Sequence, residues 1–435
     1  MTERVFRITR PQLDSVASLL AGHGRDGIVS IECGAGHAAW PSGIERQSWS
    51  AYKIGKRVSS ADDISAIVGD QRLCFIAQDE SFLRDIAFSN DQVLWGCLSD
   101  AEIKVYSYRD GGLLPVDVCS VIDHDFNFRF QGKNPMIVTG NIESELFEQT
   151  MQAFGKGTVH YLSQLTVGIA GVSGTGSIIA EQLMRLGVKR MVLVDDDVVE
   201  VRNLGRILNS TVDDAVRQVN KALMMQKVYT AVGLDIEVVA APTVILAPET
   251  IQLLSQCDVL FGCLDSADGR MHLNQISTFY SIPYIDLGVS LKTDQGMITD
   301  INGAVRIVLP GGSSLLGRRA YTLEQLESAA LRREDPAAYQ ARLAEKYIEG
   351  AQEGSPAVIS VNMQVASLAV MELLNRIHPY RDVPNSDVES VYVNLVDLCF
   401  PAPTSPSAPD EILAKYLGKG DCVPMLNLPI TGARK

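Results

Sequence analysis

At 435 residues the chain is long enough for two or three domains, and its 46% of apolar residues can supply their cores. No run of about 18 apolar residues occurs and the start, MTERVFRITRPQLD, lacks an apolar stretch, so neither a transmembrane helix nor a signal peptide is expected. A net charge of −14 opposes a nucleic-acid partner, and eight cysteines without a CxxC pair point to reduced thiols in a cytoplasm rather than to disulfides or structural zinc.

Residues 1–135 read as an α/β accessory unit, with strand candidates at Gly27–Cys33, Leu73–Ala77 and Ile103–Tyr106. A helix is expected over 141–164, where Ile142, Leu146, Met151 and Phe154 share one face. The pattern then changes. LTVGIAGV (165–172) is apolar without alternation, as in a strand buried on both faces of a parallel sheet. A helix over 177–187 follows, then a second buried strand, RMVLVDDD (190–197). Further strands are expected at Ile236–Ala240, Val259–Cys263, Tyr284–Leu287 and Arg306–Leu309. This alternation predicts a mostly parallel, doubly wound, Rossmann-like α/β sheet. Residues 321–350 form a charged helical excursion broken at Asp335-Pro336, and an apolar helix spans 356–378. FPAPTSPSAPD (400–410) reads as a linker. The expected domains are thus 1–135, 140–400 and a short C-terminal segment, 401–435.

The chemistry starts at Gly171-Val-Ser-Gly174-Thr-Gly176, between a buried strand and a helix. Glycines let a phosphate chain approach the backbone, and the helix N-terminus offers it free N–H groups. Asp195-Asp-Asp197 ends the next strand, where dinucleotide folds place the carboxylate that binds ribose. Loop and acid together indicate an adenosine nucleotide and leave NAD and ATP both open. Asn203-Leu-Gly-Arg206, then Lys221, then CLDSADGR (263–270) decide between them. Arg206 and Lys221 can stabilise charge developing on phosphorus, and Asp265 can hold a magnesium ion on phosphate oxygens. A dehydrogenase needs none of these.

In this order the glycine loop, LVDDDVVEVRNLGR, QVNKA and CLDSADGR resemble the adenylation domain of the ThiF/MoeB and ubiquitin-activating superfamily over about 240 residues. The resemblance implies that Gly171, Gly174, Gly176, Asp195, Asp197 and Leu264 bind nucleotide. It also implies that Asn203 and Arg206 meet phosphates, that Lys221 serves the transferring phosphoryl region and that Asp265 organises Mg2+. Arg270 and Asn274 match as scaffold. The implied reaction is attack of a C-terminal carboxylate on the α-phosphate of ATP. Its implied partners are the tail of a ubiquitin-like protein, a conjugating enzyme and a second copy in a homodimer, in a bacterial conjugation system of the kind that serves antiphage defence. A sulfur-carrier or peptide adenylyltransferase and an inactive nucleotide-binding scaffold are the alternatives.

Three departures from the family pattern stand out. Where relatives carry PGGPCLxC, this chain has Pro310-Gly-Gly-Ser-Ser314-Leu-Leu-Gly317, so no zinc is expected. Gln149 occupies the place of an arginine that relatives extend to a partner's ATP. The usual thioester region contains no cysteine: Cys257 and Cys263 read as packing residues, and Cys399 and Cys422 come later. In the N-terminal third, LAGHGRDGIVSIECG and LPVDVCSVIDHDF resemble JAB/MPN-type domains, the alternative being an unrelated α/β accessory domain that contacts a partner protein. None of the six histidines forms an HxH pair, which makes it an inactive scaffold on that resemblance, with Trp40, Trp49 and Trp95 as core or contact residues.

Overall fold

The computed structural model describes residues 2–21, 28–58, 64, 67–68, 72–99, 102–130, 145–344, 358–404 and 406–421. The N-terminal part runs β1 (Thr2–Thr9), α1 (Arg10–Ala21), β2 (Ile28–Ala39), β3 (Glu45–Val58), β4 (Arg72–Ala77), α2 (Glu80–Ile86), β5 (Val93–Ser99), β6 (Glu102–Arg109), β7 (Gly112–Pro115), β8 (Val118–Ile122) and β9 (Asn127–Phe130). These strands make one nine-stranded mixed sheet, ordered β7-β6-β5-β4-β2-β3-β1-β8-β9. Side chains alternate across a strand, so residues at odd and even positions serve different neighbours. Phe6, Ile8, Trp49 and Ala51 join Leu13, Val16 and Leu20 of α1 in an apolar core. Glu3, Arg7, Arg46, Ser48 and Ser50 occupy the opposite face and are also buried. Trp40, Trp49 and Trp95 are all core residues.

The second part contains α3 (Glu148–Phe154), α4 (Lys156–Gln164), β10 (Thr166–Ala170), α5 (Gly176–Leu186), β11 (Arg190–Val194), α6 (Val212–Val216), α7 (Lys221–Val232), β12 (Glu237–Ala241), α8 (Pro248–Ser255), β13 (Val259–Gly262), α9 (Ala267–Phe279), β14 (Tyr284–Asp294), β15 (Met297–Val308), α10 (Leu323–Glu334), α11 (Pro336–Ala344), α12 (Ile359–Ile377) and β16 (Ser390–Asn394). Its seven-stranded sheet is ordered β12-β11-β10-β13-β14-β15-β16. The strands β12 to β14 pair in parallel, and β15 and β16 are antiparallel. From β10 the chain winds outward to β11 and β12, then crosses back to β13 on the other side. The carboxyl ends of β10 and β13 therefore flank a topological switch point, where ligands bind in such sheets.

Several expectations need correction. The helix over 141–164 is two helices, α3 and α4, because Gly155 takes φ 84° between them. Leu146 is 44% exposed, and Ile142 lies outside the described residues, as does the 135/140 domain boundary. The candidates Tyr284–Leu287 and Arg306–Leu309 are two arms of one long hairpin, β14–β15. Its turn uses Gln295 and Gly296, both at positive φ, the conformation of a tight two-residue hairpin loop. The excursion at 321–350 is α10 and α11, parted at Asp335-Pro336 as expected, with 345–357 outside the described residues.

The Pro/Ser stretch at 400–410 is fastened to the sheet instead of hanging free. Ser407 donates its backbone N–H and its hydroxyl to Glu389, at 2.9 and 2.8 Å, and Asp410 N–H donates to the Gly312 carbonyl. Beyond it, Gly418 and Gly420 donate to the carbonyls of Thr278 and Phe279 at the end of α9, and Gly420 bridges to Ala35 of β2. A Cβ at Gly418 would lie 2.1 Å from the Ala51 carbonyl oxygen, so this strap needs glycine.

Candidate active site

Three loops leave the carboxyl ends of adjacent strands: 171–175 after β10, 195–199 after β11 and 263–266 after β13. The glycines of the first loop are set by close backbone approach. Gly171 has φ 84°, and a Cβ there would sit 2.6 Å from the Cys263 carbonyl oxygen and 3.1 Å from Leu264 Cδ2. A Cβ at Gly176 would lie 1.9 Å from the Gly171 carbonyl oxygen. The loop can curl this tightly onto the start of α5 only without side chains at those positions.

Asp195 is buried and organises both neighbouring turns. Its carboxylate accepts Val172 N–H at 2.7 Å and Asp197 N–H at 3.0 Å. Burial raises its pKa; Lys221 and the two N–H donors oppose that without cancelling it. Lys221 opens α7 and turns back into the site. Its ammonium lies 2.7 Å from Asp197 and 3.8 Å from Asp195, with only 6% of the side chain exposed. Asn220 holds it there. This residue caps α7 by accepting Ala222 and Leu223 N–H, and donates from Nδ2 to the carbonyls of Asp195 and Asp197. Asn220 is a positioning residue that the motif reading passed over, although an Asn directly before a helix is a visible cap signal.

Arg206 reaches the glycine loop, with its Cδ 3.4 Å from where a Gly174 Cβ would be. Its guanidinium donates to the Arg202 carbonyl. Asn203 is buried, and its side-chain oxygen accepts Glu200 N–H in a capping box, while its backbone carbonyl accepts the N–H groups of Arg206 and Ile207. Its side-chain oxygen is thus committed to shaping the turn that presents Arg206. Leu264 packs against Gly171 and Gly269.

Asp265 is exposed at the loop after β13, and its charge is felt by Arg270. Among the described residues no three His, Cys, Asp or Glu side chains cluster as a metal site. Magnesium asks for less, because it keeps waters and takes one or two carboxylates plus substrate phosphates. Asp265 suits that donor set.

Beside this crevice a cleft of about 500 Å³ runs over β14, β15 and β16, with Arg270, Ser290, Arg306, Asn394 and Cys399 in its wall. Arg270 and Arg306 both pair with the fully buried Asp286, at 3.2 and 2.8 Å, so the trio carries one net positive charge. Asn274 serves as scaffold: it accepts Leu315 N–H at 2.9 Å and holds the loop containing Ser314 and Gly317. Burial pushes the thiols of Cys257 and Cys263 up to about 12, whereas Cys399 is exposed. Cys422 lies outside the described residues. Gln149 is exposed on α3.

The sequence model of the ThiF family matches residues 147–398, more than half of the chain. This chain belongs to the ThiF family. Its matched region includes each loop described above. ThiF-related sequences similar to it include ubiquitin-like modifier-activating enzyme 5 of Bombyx mori, 24% identical over 184 residues (40% of this chain, 45% of that protein). The tRNA threonylcarbamoyladenosine dehydratase of Bacillus subtilis is 31% identical over 151 residues (34% of this chain, 58% of that protein). The matches thus span about half the length of these relatives. Among solved structures, E. coli MccB crystallised with ATP aligns at a TM-score of 0.45 and 17% identity, covering 63% of this chain and 75% of that one. Among the described residues of this ThiF-family chain, no helix is long and apolar enough to cross a membrane.

Proposed function

We propose that this ThiF-family chain uses ATP to adenylate the C-terminal carboxylate of a small ubiquitin-like protein. A carboxylate oxygen attacks the α-phosphorus, the bond to the β-phosphate oxygen breaks, and pyrophosphate leaves with the electron pair. The carboxylate is already a nucleophile, so catalysis consists of positioning and of neutralising charge. In this reading Asp195 accepts hydrogen bonds from ribose hydroxyls, the glycine loop and the start of α5 receive the phosphates, and Lys221 and Arg206 offset their charge. Mg2+ on Asp265, when bound, would supply further charge neutralisation on phosphate oxygens. An extended tail fits the cleft over β14–β16, which opens beside Arg270 and Asp265. The thiol of a conjugating enzyme then attacks the acyl carbon, giving up its proton; the carbon–oxygen bond to the phosphate breaks, a thioester forms and AMP leaves. Cys263, beside the glycine loop, and Cys257, at the other end of β13, are both held as unreactive thiols.

The observation that carries this reading is the position of Lys221, a nearly buried cation facing two aspartates beside the glycine loop. Its test is ATP–pyrophosphate exchange dependent on a Gly-Gly-tailed protein. Lys221→Ala and Asp265→Ala should each lower exchange by about 10²-fold or more, the range typical of lost transition-state charge stabilisation. Exchange at the unaltered rate in either variant removes that residue from the mechanism. Exchange with a free peptide or a sulfur-carrier tail in place of the ubiquitin-like one reassigns the substrate and keeps the chemistry.

A further inference from the structure

Helix α12 starts without a side-chain cap at Val358. Its first-turn N–H groups therefore have no helical partner. One turn in, Asn362 is only 4% exposed, and its side-chain amide makes no hydrogen bond to any described residue. A polar side chain so nearly enclosed and without a partner among the described residues calls for an explanation. Packing does not supply one here, because the neighbours along the same helix are apolar: Val361, Val365 and Ala366. The amide is aimed at the glycine loop. A Cβ at Gly174 would lie 2.3 Å from Asn362 Nδ2 and 3.4 Å from Arg206 Cδ. Gly174 thus leaves open the spot where a donor from α12 and the stem of a cation meet the loop.

We propose that Asn362 is a positioning residue that donates a hydrogen bond from Nδ2 to the phosphate chain of the bound nucleotide. The first turns of α5 and α12 would then serve the same anion. This rests on the nucleotide-binding reading above and adds a ligand contact from outside the linear motifs. In this reading the phosphate chain of the nucleotide supplies the acceptor that the amide lacks among the described residues. α12 follows the charged excursion in the chain, so the contact also ties the position of that helix to nucleotide occupancy.

The test uses the full chain with Asn362→Leu and Asn362→Asp, titrated calorimetrically with ATP and, by ligand-observed NMR, with adenosine. The leucine variant is expected to melt no lower than the unaltered chain, since an amide without a partner among the described residues has been replaced by an apolar side chain of similar size. Its Kd for ATP should rise at least about tenfold, the loss of one hydrogen bond to a charged group. Adenosine binding should stay the same, and the aspartate variant should lose more ATP affinity than the leucine one through charge repulsion. ATP binding by Asn362→Leu equal to that of the unaltered chain overturns the proposal, as does an equal loss of ATP and adenosine, which would mark a merely structural role. Failure of the unaltered chain to bind ATP overturns this inference and the nucleotide reading together.

Discussion

Asp195 couples two neighbouring turns through a single carboxylate, and its environment sets a testable pH dependence. Its ordinary pKa of 3.8 is raised by burial, with Lys221 and two backbone N–H groups pulling only partly the other way. A carboxylate whose pKa is raised in the folded state adds stability below its unfolded value and loses it as pH rises through the folded value. Acid therefore costs the fold nothing at this residue. On the proposed nucleotide reading, binding should respond in the opposite sense, because a protonated Asp195 would be a poorer acceptor for ribose hydroxyls and a weaker partner for Lys221. On that reading ATP affinity should fall on acidification, and the fall should begin at a higher pH than an ordinary aspartate would set. Asp195→Asn should bind ATP about tenfold more weakly, with a flatter pH dependence. An identical pH slope in that variant would show that another group titrates.

Elements place the cysteines as firmly as they place the phosphate loop. Cys257 sits between α8 and β13, Cys263 directly follows β13, and both are pushed up to about 12 by burial. Cys399 lies on the exposed turn after β16, facing the cleft. Alkylation of the native chain, mapped by peptide mass spectrometry, should label Cys399 at least about tenfold faster than the other two, because the exposed thiolate reacts. Comparable labelling of Cys263 would mean that the β13 loop opens. The same element explains what could be read from the sequence. β10, β11 and β13 are short apolar runs ending in glycines or aspartates, and local pattern alone reveals both the strand and its functional end. Of the β14–β15 hairpin only the apolar roots, Tyr284–Leu287 and Arg306–Leu309, were expected as strands, because the arms between them are polar and project beyond the core. Asn220 and Asn362 act from helix starts: the first carries a visible cap signal, while the second becomes meaningful only once α12 is packed against α5. The loop glycines were legible because they fall in one short run between a buried strand and a helix, whereas Asn362 and Gly174 lie about 190 positions apart in the sequence.

At the scale of the molecule, the two sheets are joined by buried charge rather than by apolar packing alone. Glu3 pairs with Arg190 at 2.6 Å, and Arg46 with Asp258 at 2.9 Å and Glu3 at 3.6 Å, all nearly inaccessible. Arg7 donates to the carbonyls of Ser255 and Cys257, each at 2.9 Å, and Ser50 donates to that of Tyr280. These side chains occupy one face of β1 and β3, where register places Glu3 opposite Arg46 and Arg7 opposite Ser50. Burial lowers the Arg7 pKa to about 10 against the opposing pull of Asp258, so the guanidinium stays charged at neutral pH. Asp258 also accepts Thr166 N–H, at the first residue of β10, the strand that leads into the glycine loop. The N-terminal sheet therefore acts as a base for the strand that carries the glycine loop. Breaking a buried pair by removing one partner typically costs about 3–5 kcal/mol, since the other charge is left without compensation. Arg46→Met should lose stability in that range in urea, and the two sheets should unfold in one transition. Adding Asp258→Asn to Arg46→Met should cost less than its effect alone, because the charge that Arg46 balanced has gone. Additive losses, or two separate transitions in the unaltered chain, would mean that the sheets are independent and that the N-terminal part does not brace the site.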